Sequence, residues 1–114
     1  MRIRNATRGT ELADKAWVAR GFWPRLVGLL ARPGLAPGEA LVLEPCSSVH
    51  TAFMRFTIDV VYLDRTGKVV KVAPHMKPFR MGGVLRGSRS VIELPTGTIE
   101  RTGTARGDEI LIED

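Results

Sequence analysis

The chain has 114 residues, of which 44% are hydrophobic and 25% charged, a mix typical of one folded domain over residues 1–114 and not of a disordered tail. Its single cysteine, Cys46, excludes an internal disulfide framework and favours a reducing compartment, so we expect a cytoplasmic protein. No run approaches the roughly 20 apolar residues of a membrane span, and no apolar stretch follows the first charges, so neither a membrane segment nor a secretory signal is predicted.

The first third of the chain predicts strands followed by one helix. Residues 2–6 and 11–19 have strand character and are separated by a polar turn. Pro24 suits the first position of a helix, where its missing N–H has no partner in any case. Leucines at helical spacing follow it until Pro33 ends the pattern. We therefore predict a short helix over residues 23–31, packed over a sheet.

The remainder of the chain favours strands. We predict them over residues 41–44, 57–64, 68–73, 90–94 and 109–113. A turn with a late glycine, Gly67, joins the second and third of these as a hairpin. Residues 74–88 hold two prolines and three glycines and predict a long loop, whereas residues 95–104 predict a turn or short helix. The fold class is therefore α+β, a small, mostly antiparallel, barrel-like β-sheet with one short helix packed on it.

The alternation of apolar residues within these elements defines a predicted core. Residues that share one face of a strand or helix are apolar together. The predicted core residues are Leu26, Leu29, Leu30, Phe56, Ile58, Val60, Tyr62, Val70, Val72, Ile92, Ile110 and Ile112.

One carboxylate stands out in the strand over residues 57–64. One face of that strand is continuously apolar, whereas the other passes from polar to apolar at Asp59. A buried carboxylate needs hydrogen-bond donors, and Arg55 lies about 13 Å away in an extended chain. We expect Asp59 to be ionised, buried and held by donors from outside its own strand, either as a structural tie or as a ligand-binding or acid–base group. The candidate donors are a backbone N–H, Arg25, Arg32 and His50.

Cys46 and His50 have the spacing C-x3-H. A nucleophilic pair needs hydrogen-bond reach, but these side chains would lie about 13 Å apart on a strand. A zinc site would need His75 and a carboxylate such as Asp59 to join them, and the spacing does not match the paired ligands of structural zinc motifs. A small hydrolase or metal enzyme around Cys46, His50 and Asp59 is therefore the last-ranked function.

A basic stripe runs from residue 65 to residue 90, with seven basic residues and no acid. Such a stripe is compatible with nucleic acid or another polyanion, and equally with a solvated face. Its only aromatic residue is Phe79, so it lacks the stacking platform of single-strand binders, and we expect only weak binding. The candidate contacts are Lys68, Lys71, Lys77, Arg80, Arg86 and Arg89.

Five short motifs follow one another along the chain. They are RLVGLLAR at 25–32, FMRFTID at 53–59, GKVV at 67–70, ELPTG at 93–97 and GD at 107–108. This succession resembles the small prokaryotic family catalogued as domain of unknown function 192 and covers nearly the whole chain. The resemblance implies a compact α+β protein built round a barrel-like sheet, with the strongest family motif at Met54 and Asp59. It implies no settled activity.

These features together favour a non-catalytic binding or accessory module with a cleft around Met54, Arg55 and Asp59. Its partner is an unidentified small molecule or protein, and we expect a monomer without a cofactor, a metal ion or a membrane contact. Weak polyanion binding through the basic stripe is the first alternative function. The candidate ligand-binding residues are Arg32, His50, Met54, Arg55, Asp59 and Glu93.

Overall fold

The computed structural model describes residues 1–20, 34–44, 49–50, 56–77, 81–82 and 87–113. Within those ranges the chain forms strands and one short helix, α1, over Thr98–Thr102. The strands are β1 Arg2–Asn5, β2 Thr10–Ala13, β3 Lys15–Arg20, β4 Glu39–Glu44, β5 Val49–His50, β6 Ile58–Leu63, β7 Val69–Met76, β8 Met81–Gly82, β9 Ser90–Pro95 and β10 Ile110–Glu113. The predicted helix over residues 23–31 lies outside the described residues.

The strands form two main sheets. One has three strands in the order β10-β1-β2, and the other has five in the order β3-β4-β9-β6-β7, while β5 and β8 form a separate pair. Every described pairing between strands is antiparallel except the parallel pair β3–β4, which confirms the mostly antiparallel α+β prediction. A bridge between Lys68 and Glu109 connects the edges of the two main sheets. The described strands do not close into a barrel.

Two apolar clusters cover the two faces of the five-stranded sheet. The inter-sheet cluster lies between the two main sheets and includes residues of both, such as Ile3, Val61 and Leu94, together with Ile99 of α1. A second cluster, on the opposite face, contains Leu41, Leu43, Ile58, Val60, Tyr62 and Val91. All six residues of β6 are buried as a result, which explains why its sequence is apolar at nearly every position.

The predicted hairpin between β6 and β7 is confirmed. Asp64 closes its turn, because one carboxylate oxygen accepts the backbone N–H groups of Thr66 at 2.8 Å and Lys68 at 3.0 Å. Gly67 has φ +91°, and a Cβ at this position would lie 2.9 Å from the Ile110 carbonyl oxygen. The turn therefore needs glycine both for its backbone conformation and for its close approach to β10.

Two predicted elements differ from the structure. The single strand predicted over residues 11–19 is wrong, because the chain turns at Asp14, where the N–H groups of Asp14 and Lys15 both donate to the Gly38 carbonyl oxygen and β3 joins the other sheet. The loop predicted over residues 74–88 is wrong in part, because β7 continues to Met76 and β8 follows.

The described part of the predicted core is buried or half-buried, with one exception. Ile112 is 36% exposed, because β10 is an edge strand whose only neighbour within its sheet is β1. Phe56, Val70 and Val72 are half-buried against the two clusters. The three predicted helix leucines lie outside the described residues.

Candidate functional site

Asp59 is completely buried on the side of β6 that faces the inter-sheet cluster. Three backbone N–H groups donate to its carboxylate. His75 donates to Oδ1 at 2.9 Å, while Gly97 and Ile99 donate to Oδ2 at 3.1 and 2.9 Å. The predictions that Asp59 is buried and that its donors come from outside its own strand are confirmed.

Local backbone irregularities aim these N–H groups at Asp59. Between the pairs Ile58–Met76 and Val60–Ala73, β7 contains one more residue than β6, and His75 within this bulge has φ +53°. On the other side, α1 begins at Gly97 without a side-chain cap of its own. Asp59 supplies that cap from a different strand, so it joins β6, the bulge of β7 and the start of α1.

Glu93 lies on the opposite face of the same sheet. In the antiparallel pair β6–β9, Val60 is opposite Glu93 and Asp59 is opposite Leu94. Directly opposed residues share a face and successive residues alternate between faces. The two predicted site carboxyl groups therefore do not line one cleft, because a sheet separates them.

The surroundings of Glu93 are apolar. Its direct cross-strand neighbours are Leu41 and Val60, and Val91 precedes it on the same face of β9. Glu93 is 0% exposed, and neither of its carboxyl oxygens has a hydrogen-bond partner in the described structure. Burial raises the pKa of Glu93 to about 8. A carboxyl group in this position is kept neutral near pH 7, in contrast to a carboxylate held by donors.

We call this side of the five-stranded sheet, with Leu41, Leu43, Val60, Tyr62, Val91 and Glu93, the Glu93 face. Glu39 lies on it two residues before Leu41, and its Oε1 accepts the Ala36 N–H at 2.8 Å. Lys71 lies opposite Tyr62, with its Nζ 5.6 Å from the centre of the Tyr62 ring.

Most of the other predicted ligand-binding residues lie outside the described ranges. These are Arg32, Met54 and Arg55, and Cys46 lies outside them as well. His50 belongs to β5, where its backbone pairs with Met81 of β8, but its side chain is not described. The predicted roles of these residues stay predictions.

The described basic residues do not form one continuous patch. Lys68, Lys71, Lys77 and Arg89 are exposed, whereas Arg80 and Arg86 lie outside the described ranges. Lys68 and Lys77 flank β7 at its two ends, roughly 25–30 Å apart along an extended strand. The Arg89 N–H donates to the Leu63 carbonyl oxygen at 2.7 Å, which places Arg89 at the Lys68 end. The stripe seen in the sequence is thus divided between two ends of the sheet.

A second buried carboxylate, Asp108, organises the start and end of the chain. Its Oδ2 accepts from Arg8 Nε at 2.9 Å, Asn5 Nδ2 at 2.9 Å and the Ala105 N–H at 3.0 Å. Burial raises the pKa of Asp108, but the hydrogen bonds from Arg8, Asn5 and Ala105 and the charge of Arg8 outweigh it, and the pKa lies below its ordinary value. The GD motif marks Asp108, but its side-chain partners Asn5 and Arg8 lie about a hundred positions earlier in the sequence.

A groove of about 580 Å³ lies beside the start of α1. Its charged lining residues are Glu11, Asp14 and Arg101, and the Arg101 guanidinium donates to the Glu11 carbonyl oxygen at 3.3 Å. Gly97 belongs to both this groove and the Asp59 cap. The groove therefore lies next to the point where Asp59 joins β6, the bulge of β7 and the start of α1.

Two features are absent from the described residues. They contain no group of three or more His, Cys, Asp and Glu side chains placed to hold a metal ion. Within the same ranges, no helix has the length and apolar character needed to cross a membrane.

Comparisons with known proteins agree with the family resemblance seen in the sequence and with the observed fold. The family profile of domain of unknown function 192, described as Uncharacterized ACR, matches residues 3–112. A relative named UPF0127 protein in Pyrococcus furiosus is 34% identical over 109 residues, which cover 93% of this chain and 93% of that protein.

Two crystal structures share the fold. One is a protein of unknown function from Novosphingobium aromaticivorans, with a TM-score of 0.83 and 18% identity, and the match covers 98% of this chain and 84% of that one. The other, from Sinorhizobium meliloti, has a TM-score of 0.79 and 20% identity over 96% of this chain and 89% of that one.

Proposed function

The chain belongs to the family catalogued as domain of unknown function 192, and we propose that it is a non-catalytic binding module whose ligand contacts Glu93. One observation carries this proposal. Glu93 is completely buried, and among the described residues neither of its carboxyl oxygens has a hydrogen-bond partner. A ligand that supplies the missing partner would be held at this position.

An unpartnered polar group in the interior of a protein lowers its stability. A buried donor or acceptor without a partner costs about 1 to 3 kcal/mol, and a leucine of similar size at position 93 would avoid that cost. Asp59 shows that this fold can satisfy a buried carboxylate with three backbone N–H groups. A polar group kept without such partners supports a role outside folding.

Binding requires fewer groups than catalysis. General acid–base chemistry needs a second group within hydrogen-bond reach of the reacting atoms, and the described neighbours of Glu93 on β4 and β6 are Leu41 and Val60. Arg32, His50, Met54 and Arg55 remain candidate contributors to the ligand site. We also propose that residues 1–114 form one domain, that the protein is monomeric and that it is located in the cytoplasm, a location that the lone Cys46 supports.

The test uses the ligand that accompanies the protein. Native mass spectrometry of the purified full chain should reveal a bound species, which Glu93→Gln should lose. The matched control is Glu39→Gln. Glu39 lies on the same face as Glu93, but its carboxyl group already accepts a hydrogen bond from Ala36, so the Glu39→Gln variant should retain the bound species. A bound species that survives Glu93→Gln unchanged would contradict the proposal.

Weak polyanion binding is the alternative function. It is supported by the exposure of Lys68, Lys71 and Arg89, none of which forms a salt bridge among the described residues. The division of the basic residues between two ends of the sheet limits the number of phosphate groups they can contact together, so this function ranks second.

A further inference from the structure

We infer that the ligand of the Glu93 face is a small organic cation, an amidinium or ammonium group on an apolar body, whose charge pairs with Glu93 and whose apolar body extends towards Trp17. This inference deepens the proposed function and rests on it. It names the chemical class of the ligand from the groups that line this face.

The strand register places an aromatic residue and the carboxyl group in one line across the sheet. Each residue of this line is directly opposite the next on the neighbouring strand. From β3 to β7, the line consists of Trp17, Leu41, Glu93, Val60 and Ala73. Adjacent strands lie about 4.8 Å apart, so the backbones of Trp17 and Glu93 are about 10 Å apart, within the span of a small ligand.

Trp17 faces the same side as Glu93. Its chain neighbours Ala16 and Val18 pack into the inter-sheet cluster, so the indole points to the other side of the sheet. Trp17 is 42% exposed, whereas Leu41 between it and Glu93 is buried. Along this line, a partly exposed aromatic ring at the edge of the sheet is followed by a buried apolar residue and then by a buried carboxyl group.

The charges on this face favour a cation over an anion or a neutral ligand. Of its two lysines, Lys15 lies opposite Glu39, and Lys71 lies over the Tyr62 ring. No described cation therefore pairs with Glu93, and an anion bound beside Glu93 would find no described countercharge there. A neutral ligand would leave Glu93 protonated, whereas a cation turns it into a charge-assisted pair, about twice as strong as a neutral hydrogen bond.

The two oxygens of the Glu93 carboxyl group favour a planar cation with two N–H groups over other cations. Both oxygens of Glu93 lack partners, and a planar amidinium offers two parallel N–H groups to a carboxylate. Because Glu93 has no exposed surface, the head group must be small enough to replace atoms that now pack on the carboxyl group. An amidinium on a single ring meets both requirements.

Binding of the cation is coupled to the release of one proton from Glu93. The free protein carries a proton on Glu93 near neutral pH, since burial raises the pKa of Glu93 to about 8. The ligand arrives already charged, so forming the pair releases the Glu93 proton to the buffer and changes no covalent bond of the ligand. The other titratable or charged groups on the described strands of this face are Lys15 on β3, Glu39 on β4, Tyr62 on β6 and Lys71 on β7. Affinity should rise about tenfold for each pH unit up to about pH 8 and then level off.

Isothermal titration calorimetry with benzamidinium chloride tests this inference on the full chain. We expect binding that is at least tenfold weaker at about pH 6.5 than at about pH 8.5, with release of about one proton at the lower pH, measured in buffers of different ionisation enthalpy. Neutral benzamide should bind at least tenfold more weakly than benzamidinium at the higher pH, and benzoate should not bind.

Variants test which residues are responsible for benzamidinium binding and proton release. Glu93→Gln should reduce benzamidinium affinity at least thirtyfold and abolish proton release, and Trp17→Ala should weaken binding several-fold. Glu39→Gln, on the same face, should change affinity less than threefold. Far-UV circular dichroism and melting curves establish that each variant is folded, and Glu93→Leu replaces Glu93→Gln if the latter is not.

The outcomes separate this inference from the proposed function. If benzamide binds as tightly as benzamidinium, and Glu93→Gln weakens both, Glu93 belongs to a binding site but the cation class is wrong. If benzamidinium fails to bind, or binds Glu93→Gln as well as wild type, the inference is overturned. In either case the co-purified species continues to test the proposed function independently.

Discussion

Asp59 and Glu93 lie on neighbouring strands of one sheet, and both are completely buried, yet their surroundings differ entirely. Asp59 faces a β-bulge and the start of a helix, where backbone N–H groups are free to donate to it. The direct cross-strand neighbours of Glu93 are Leu41 and Val60, whose side chains have nothing to donate. The first carboxyl group joins three elements of the fold, whereas the second contributes no described hydrogen bond to it.

This comparison shows that burial of a carboxyl group does not reveal its role. The decisive quantity is the number of donors that the surrounding backbone supplies. On this criterion, Asp59 holds three elements of the fold together, and its predicted ligand-binding role stays a prediction. Glu93 is the carboxyl group for which we propose a ligand.

The largest expected effect is a pH dependence due to Glu93. The unfolded chain ionises this residue near the ordinary pKa of 4.5, while the folded protein retains the proton to about pH 8. The folded state therefore binds more protons across this window, and the free energy of unfolding should fall as the pH rises through it. The total is on the order of 5 kcal/mol. Urea denaturation of wild type and Glu93→Gln across the window should show this slope in the wild type and its loss in the variant.

The Asp59 cap should have the next largest effect. Asp59→Asn keeps the shape but presents an amide to donors that need an acceptor, so we expect a loss of about 1 to 3 kcal/mol in the free energy of unfolding near pH 7. Asp64→Asn is the matched control, because Asp64 also accepts two backbone N–H groups but lies in a solvent-exposed turn. Equal losses in the free energy of unfolding of the two variants would show that the buried Asp59 cap stabilises the fold no more than the exposed Asp64 turn does.

Asp108 should produce a pH dependence of the opposite sign to that of Glu93. Its pKa lies below the ordinary value, so its contribution to stability is present above the pKa of the unfolded chain and is lost as the pH falls through the folded value. We expect Asp108→Asn to reduce the loss of stability below about pH 4, measured by thermal melting across the acid range. If the variant lost stability with falling pH as steeply as wild type does, the stabilising role assigned to the hydrogen bonds of Asp108 with Arg8 and Asn5 would be wrong.

The smallest effect concerns the basic residues. Binding to a mixed-sequence DNA duplex should be micromolar or weaker and should disappear between low salt and about 200 mM salt, because counterion release drives it. Fluorescence anisotropy can compare Lys68→Glu with Lys77→Glu at the other end of β7. A nanomolar complex that survives the higher salt would make polyanion binding the primary function.

The sequence predicted most of the strands and the burial of Asp59 because both follow from local rules. Alternation along β6 identified two faces, and the cost of burying a carboxylate required donors from elsewhere. The identity of those donors depends on the bulge at His75 and on the orientation of Gly97, which are set by strand register and not by local sequence.

The position of Glu93 relative to Asp59 could not be predicted for a related reason. Residues 59 and 93 fall on opposite faces only because Val60, and not Asp59, lies opposite Glu93, and a shift of one residue would reverse this. The break at Asp14 was missed because it depends on Gly38, which lies in a distant turn.

The most direct test of the central claim is the titration of Glu93 itself, followed through its side-chain carboxyl carbon by carbon-13 NMR, with Glu93→Gln to assign the signal. An unpartnered, buried carboxyl group should titrate with a midpoint near pH 8 in the free protein. A midpoint at the ordinary value of 4.5 would show that Glu93 is hydrated or paired with a cation, and the account of Glu93 as a buried, unpartnered acceptor would then be wrong.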